Sequence, residues 1–307
     1  MIHIEDPALA AAILSDPLRF GVRPPDQPVP PHLGDGALGG AFARWLRMRD
    51  DAGHGPAKAA MVGSLARLDA VEIDRHARVQ SALAWPGGWD HWVWATSLAS
   101  MAALLGAAPA DLEAQRALLA RFHAIARGLA PTASAAQVAD ADAACGAVAA
   151  ALDASAALPL GLPDADAELA NRLALLWQSF EAGAALLGRA VVALAQDPAL
   201  RRAGAMAAWL PAFVAADGIL LNTRRFARAD ESAGAIDARR GDALVIDLRR
   251  HPFGHGPHLC PGKRVALAVA ATALEAVLER SDVAWPSTWQ DMALPNARIP
   301  FFKESPR

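Results

Sequence analysis

A mainly α fold with a small β portion is predicted by three features of the sequence. Apolar residues recur at helical spacing along most of the chain, strand signals are confined to residues 219–221, 233–236 and 243–248, and no internal repeat is present. No linker or charge run divides the 307 residues, and 54% of them are hydrophobic, enough for one large interior. A single domain over residues 1–307 is therefore predicted. The formal net charge of −3 supplies no positive field, which argues against a nucleic-acid partner.

The elements follow in order. Residues 5–14 read as a short helix stopped by Asp16 and Pro17, and the Pro- and Gly-rich residues 23–40 as an irregular loop. Helical spacing resumes over residues 57–83, 90–105, 110–129 and 135–152, with breaks at Pro86-Gly87-Gly88, Pro109 and Pro131. Residues 92–110 carry no charge, yet they contain Thr96, Ser97, Ser100, Gly106 and Pro109 and lack basic flanks. A buried core helix is expected there, not a membrane span. Residues 166–195 form the longest helical stretch, ending before Asp197-Pro198, and its polar residues Asn171, Gln178, Ser179 and Glu181 require hydrogen-bond partners. Arg240-Gly241-Asp242 reads as a turn, residues 262–280 as a last helix, and the tail from Trp285 to residues 299–302 as extended. Cys145 and Cys260 are too few for a disulfide framework, and Met1-Ile-His-Ile-Glu-Asp lacks the basic start of a signal peptide, so a reducing, cytoplasmic location is expected.

The chemistry concentrates in residues 251–262, His-Pro-Phe-Gly-His-Gly-Pro-His-Leu-Cys-Pro-Gly. Cys260 stands where an N-cap would, with Pro261 at the first helical position. A sulfur facing a helix N-terminus is biased toward thiolate, a prepared metal ligand or nucleophile. Gly254 and Gly256 would let the backbone approach a flat partner, with Phe253 packed beside it. His251, His255, His258 and Cys260 are also dense enough to suggest a zinc site instead. Cys145 reads as a small buried hydrophobe.

Phe253, Gly256, Cys260 and Gly262 match the heme-binding signature FxxGxxxCxG, and the chain thereby resembles the cytochrome P450 family. The resemblance extends over residues 51–302. Residues 51–58, with His54 and Lys58, resemble the start of the family's C helix, where a His and a basic residue reach the heme propionates. Residues 92–109 are similar to the E helix, and residues 223–227 to the strand whose arginine, Arg225 or its neighbour Arg224, pairs with a propionate. Residues 175–185 lie over the distal helix, where Glu181 takes the acid position, Ala182 the threonine position and Ser179 the position of the groove-opening small residue.

Three departures stand out. Ala182 has no hydroxyl to donate. The ExxR pair has no counterpart in residues 208–214, and Glu72 with Arg75 lies too far upstream to replace it. Leu248 is followed almost at once by the cysteine loop, so the meander is reduced, as is the N-terminal region; loss of both charges of a buried pair together with the segment they brace can be near neutral.

The resemblance implies heme b with Cys260 as its axial thiolate and metal ligand, and Phe253, Gly256, His258, Gly262, Arg225, His54 and Lys58 around the cofactor. Glu181, Ser179 and Gln178 are the candidate catalytic residues. The implied function is a heme-thiolate oxidoreductase acting on a small organic molecule in specialised biosynthesis, as a monooxygenase with a ferredoxin-type donor or, given Ala182, by a peroxide-driven or non-oxygenating route. A catalytically silent heme-binding sensor or scaffold is the alternative. A homodimer would cover apolar surface bared by the lost segments.

Overall fold

The structure, a computed structural model, describes residues 1–155, 157–231 and 236–302. Strand β1 (Ile2–Ile4) leads into helix α1 (Pro7–Ser15), which Asp6 caps through Leu9 N at 2.7 Å. After strand β2 (Phe20–Gly21) the Pro/Gly stretch is loop only as far as Gly36, and helix α2 (Ala37–Arg44) begins inside the predicted loop. Its cap comes from far along the chain, since Leu38 N donates to the Asp142 carboxylate at 2.8 Å. The helical stretch predicted over residues 57–83 is two helices, α3 (His54–Ala66) and α4 (Ala70–Ala84), because Asp69 caps the second through Val71 N.

Helices α5 (Gly88–Leu104), α6 (Leu112–Leu129), α7 (Ala135–Asp153) and α8 (Ala165–Gln196) lie where the spacing predicted them. The next helix, α9 (Met206–Asp217), was not signalled, since its Ala- and Pro-rich sequence has no cap of its own. Glu275 supplies one, accepting from Gly204 N at 2.6 Å and Met206 N at 2.8 Å. Strands β3 (Asn222–Ala227) and β4 (Ala243–Asp247), helix α10 (Lys263–Leu278) and strands β5 (Trp289–Asp291) and β6 (Pro300–Phe302) complete the chain. Residues 219–221 form no strand of their own: Leu220 makes a single bridge to Ala297. The strand expected at 233–236 lies, apart from Ile236, outside the described residues.

One four-stranded sheet has the order β1-β4-β3-β2, with β1 parallel to β4 and the other pairs antiparallel; β5 and β6 form an antiparallel pair. The helical core centres on α5 and α8, which approach closely at Gly183, where a Cβ would lie 2.4 Å from the Ser97 side chain. Residues 95–104 of α5 are all buried, as a core helix requires. Among the described residues one helix, α7, is long and apolar enough to cross a membrane by length and composition, and 28% of that window is buried.

Where the missing ExxR pair would stand, a different ion network ties the helices to the C-terminal tail. Arg189 of α8 grips Asp217, the last residue of α9, at 3.0 and 2.9 Å; Arg298 lies 3.6 Å from both Asp217 and Asp291. The α9 position is thus held by charge from α8 and the tail, not by a pair within α9 itself.

Candidate active site

The chain leaves β4 and folds into a tight loop before α10. Gly254 N donates to His251 O at 2.7 Å and Cys260 N to Phe253 O at 2.8 Å, a closure that Gly254 permits at φ +79°. The N-cap of α10 is Gly262, so Cys260 stands two residues before the cap and not at it, where it was predicted. Its sulfur receives the Gly262 N–H. Burial nevertheless pushes the Cys260 thiol up, against the pull of that N–H and of Lys58, Arg47 and Lys263. The helix end alone therefore does not make the thiolate that was predicted. Coordination to a metal deprotonates a thiol outright, so the site suits a ligand sulfur better than a free nucleophile.

Cys260 opens on a cavity of about 770 Å³, within the range of small-molecule and cofactor sites. Of the residues expected around the cofactor, Phe253, Gly262, Lys58, Arg225 and His258 line it; Gly256 and His54 do not. At φ +65° Gly256 packs on the end of α1, where a Cβ would come within 2.6 Å of Leu14 O, so its glycine serves loop packing and not the cofactor face.

Two residues that sequence patterns missed organise the polar end. Arg47 lines the cavity; burial lowers its guanidinium pKa, while Cys260 and Glu181 raise it. Asp50 is buried and accepts from His258 Nε2 at 2.7 Å, Val22 N at 2.8 Å and Arg228 Nη2 at 2.9 Å. Burial would raise its pKa, but these partners together hold it below the usual carboxylate range. An ionised carboxylate only accepts, so His258 Nε2 carries the hydrogen and is committed to Asp50. The His54 ring lies 4.4 Å from the His258 ring, its Nε2 is buried without a partner, and burial drives its pKa down to about 4. Burial also lowers Lys58, which Cys260 opposes, and pushes Arg225 down to about 10. Arg47, Lys58 and Arg225 make no salt bridge to a carboxylate among the described residues.

On the distal wall α8 presents Gln178, Ser179, Ala182 and Gly183 to the cavity. Gln178 Nε2 donates one of its hydrogens to Ala174 O at 3.0 Å and Ser179 Oγ donates to Leu176 O at 2.8 Å, so the Ser179 hydrogen is turned back on the helix while Gln178 keeps a second N–H. Glu181 stands off the wall, its pKa raised by burial and opposed by Arg47. The zinc alternative fails on geometry, since no group of three or more His, Cys, Asp or Glu side chains is gathered for a metal among the described residues.

No family model matches the chain. Among solved structures it is similar to P450BioI in complex with hexadec-9Z-enoic acid ligated acyl carrier protein, with TM-score 0.78 and 15% identity over 97% of this chain and 90% of that one. CalO2 follows at TM-score 0.76 and 19% identity, over 97% and 88%, and epothilone B-bound cytochrome P450epoK at 0.75 and 16%, over 99% and 91%. The chain has the cytochrome P450 fold. A 65-residue stretch is 35% identical to cytochrome P450 monooxygenase fumoB of Cordyceps fumosorosea (strain ARSEF 2679), so the match spans 21% of this chain and about a tenth of that relative's length, 11%.

The P450 fold implies heme with a cysteine thiolate, and the residues present fit such a group. Three cations that make no salt bridge to a carboxylate, Arg47, Lys58 and Arg225, line the cavity with Cys260, which suits two propionates. At Gly262 a Cβ would meet nothing within 4 Å, leaving the wall beside the sulfur open to a flat ring.

Proposed function

We propose that this chain is a heme-thiolate oxidoreductase that transforms a small organic molecule in specialised biosynthesis, in the cytoplasm. The observation that carries it is the meeting of Cys260 with Arg47, Lys58 and Arg225 at one end of a cavity whose opposite wall is α8. When bound, heme supplies an iron whose thiolate ligand favours O–O cleavage. Cys260 would be its thiolate ligand; Arg47, Lys58 and Arg225, with His54, would hold its propionates, and Phe253 would pack beside the ring.

The residues on the distal wall bear on the route. Ser179 can accept a hydrogen bond but its own hydrogen goes to Leu176 O, Gln178 spends one of its two N–H donors on Ala174 O, and Ala182 offers nothing. Glu181, more readily protonated than usual, does not line the cavity and feels the charge of Arg47, which does. These features favour a peroxide-driven or non-oxygenating reaction over one that draws on a ferredoxin-type donor, and they also suit a catalytically silent heme-binding sensor or scaffold. Carrier-bound substrates, as in the P450BioI complex with acyl carrier protein, and a homodimer fit the same reading.

The test is the absorption spectrum of the purified protein, oxidised and then reduced under carbon monoxide, beside a Cys260→Ser variant. A red-shifted carbonyl band that the variant loses is expected. A colourless protein, or a band unchanged in the variant, would sink the proposal. Turnover of a substrate panel with peroxide, against ferredoxin and ferredoxin reductase, then separates the routes, and none with either favours the silent alternative.

A further inference from the structure

Helix α8 has no hydroxyl at Ala182, but the helix packed against it carries several. On α5, Thr96 and Ser100 are fully buried and donate to their own helix, Thr96 Oγ1 to Trp92 O and Ser100 Oγ to Thr96 O, both at 2.6 Å. Neither lines the cavity. Ser97 differs on both counts: it lines the cavity, and its Oγ makes no hydrogen bond among the described residues. Nor is that hydroxyl sealed. Ser97 is 9% exposed, and its Oγ keeps accessible surface, unlike the unpartnered Arg23 Nε, Trp45 Nε1, His54 Nε2 and Arg172 Nε, which are buried.

A glycine sets where this hydroxyl stands. A Cβ at Gly183 would lie 2.4 Å from Ser97 Cβ and 2.8 Å from Ser97 Oγ, so a residue without a side chain is what leaves Ser97 its place against α8. Gly183 directly follows Ala182, and both line the cavity. The free hydroxyl of α5 therefore abuts the distal helix next to the position where α8 has only a methyl group. A hydroxyl without a partner in a largely apolar wall is unfavourable, and a molecule that enters the cavity with an acceptor satisfies it.

We propose that Ser97 supplies from α5 the hydrogen-bond donor that Ala182 cannot, and holds the small oxidant taken up at the distal wall, an assignment that rests on the heme-thiolate reading above. A serine hydroxyl has one hydrogen to donate, and that of Ser97 is uncommitted. Ser179 cannot take this part, because its hydrogen goes to Leu176 O. Gln178 keeps one N–H beside its bond to Ala174 O and also lines the cavity, so it is the rival donor that the test has to separate.

The probe is carbon monoxide on the reduced, heme-loaded protein, read as its C–O stretch by infrared spectroscopy in H2O and in D2O. A hydrogen bond to the carbonyl oxygen draws electron density into the C–O antibonding orbital, so it lowers the stretch and makes it depend on the solvent isotope. Ser97→Ala should raise the stretch and abolish the difference between the two solvents. It should keep the carbonyl absorption band and the urea midpoint, since no protein partner of Ser97 is stranded. Gln178→Leu should leave the isotope difference in place. A wild-type stretch that is the same in both solvents, a difference that survives Ser97→Ala, or one that Gln178→Leu removes overturns the proposal. So does loss of heme from Ser97→Ala, which would make Ser97 part of the cofactor pocket and not a donor to its ligand. A protein without heme, or a carbonyl band indifferent to Cys260→Ser, brings down the heme-thiolate reading and this proposal together, whereas a thiolate band with no effect of Ser97 brings down the proposal alone.

Discussion

His54 shows how one residue can carry a pH dependence. The unfolded chain takes up a proton at this ring near its ordinary value of 6.5, while burial makes the folded chain refuse it down to about 4. Stability therefore falls as pH drops between those values, and His54 accounts for about 2 kcal/mol of loss between pH 7 and pH 5. Urea unfolding of the heme-free protein at both pH values should show that loss, and His54→Leu should remove that share of it. At the same scale Asp50 commits His258 Nε2, so the histidine two residues before the cysteine ties the loop to Val22, just past β2, and to Arg228 through a carboxylate from outside it.

Elements here are often capped by residues from elsewhere. Glu275 of α10 satisfies two N–H groups at the start of α9, and Arg264 of the same helix donates to Leu65 O and Leu68 O at the end of α3. Each cap fixes another helix relative to the one that follows Cys260. Glu275→Ala should cost about 1–2 kcal/mol in urea unfolding, since two orphan donors lose a charged acceptor. Glu279→Ala, which removes only a surface pair with Arg78, should change stability by less than about 1 kcal/mol. Equal effects would mean that α9 does not depend on its distant cap.

Across the whole molecule one hydrophobic cluster runs from Leu33 to Phe302, joining the distal helix, the proximal helix and the tail. Arg189, Asp217, Asp291 and Arg298 lock that tail onto α8 and α9, with the Arg189 and Asp217 side chains 11% and 13% exposed. Removing one member of a largely buried pair strands its partner, so Asp217→Ala should destabilise the protein by about 3 kcal/mol. Arg189→Met combined with Asp217→Leu should recover much of the loss, as near-isosteric apolar replacement does. Thermal unfolding of the three proteins measures both, and a double variant no better than Asp217→Ala would show that the ions do more than fill the site.

The sequence by itself determined the mainly α architecture, the long distal helix and the cysteine loop, because periodic burial and fixed motif spacing are local properties. Cys260, Phe253, Gly262, Lys58 and Arg225 were legible for the same reason: each belongs to a short segment with its own pattern. Arg47 and Asp50 carried no such signal. Their meaning lies in what surrounds them, an unpaired donor or a carboxylate held by three distant partners, and only the packed chain supplies those surroundings. The cap at Gly262, the split between α3 and α4 and the whole of α9 were decided in the same way, by contacts between residues far apart in sequence whose burial and charge outweigh local preference.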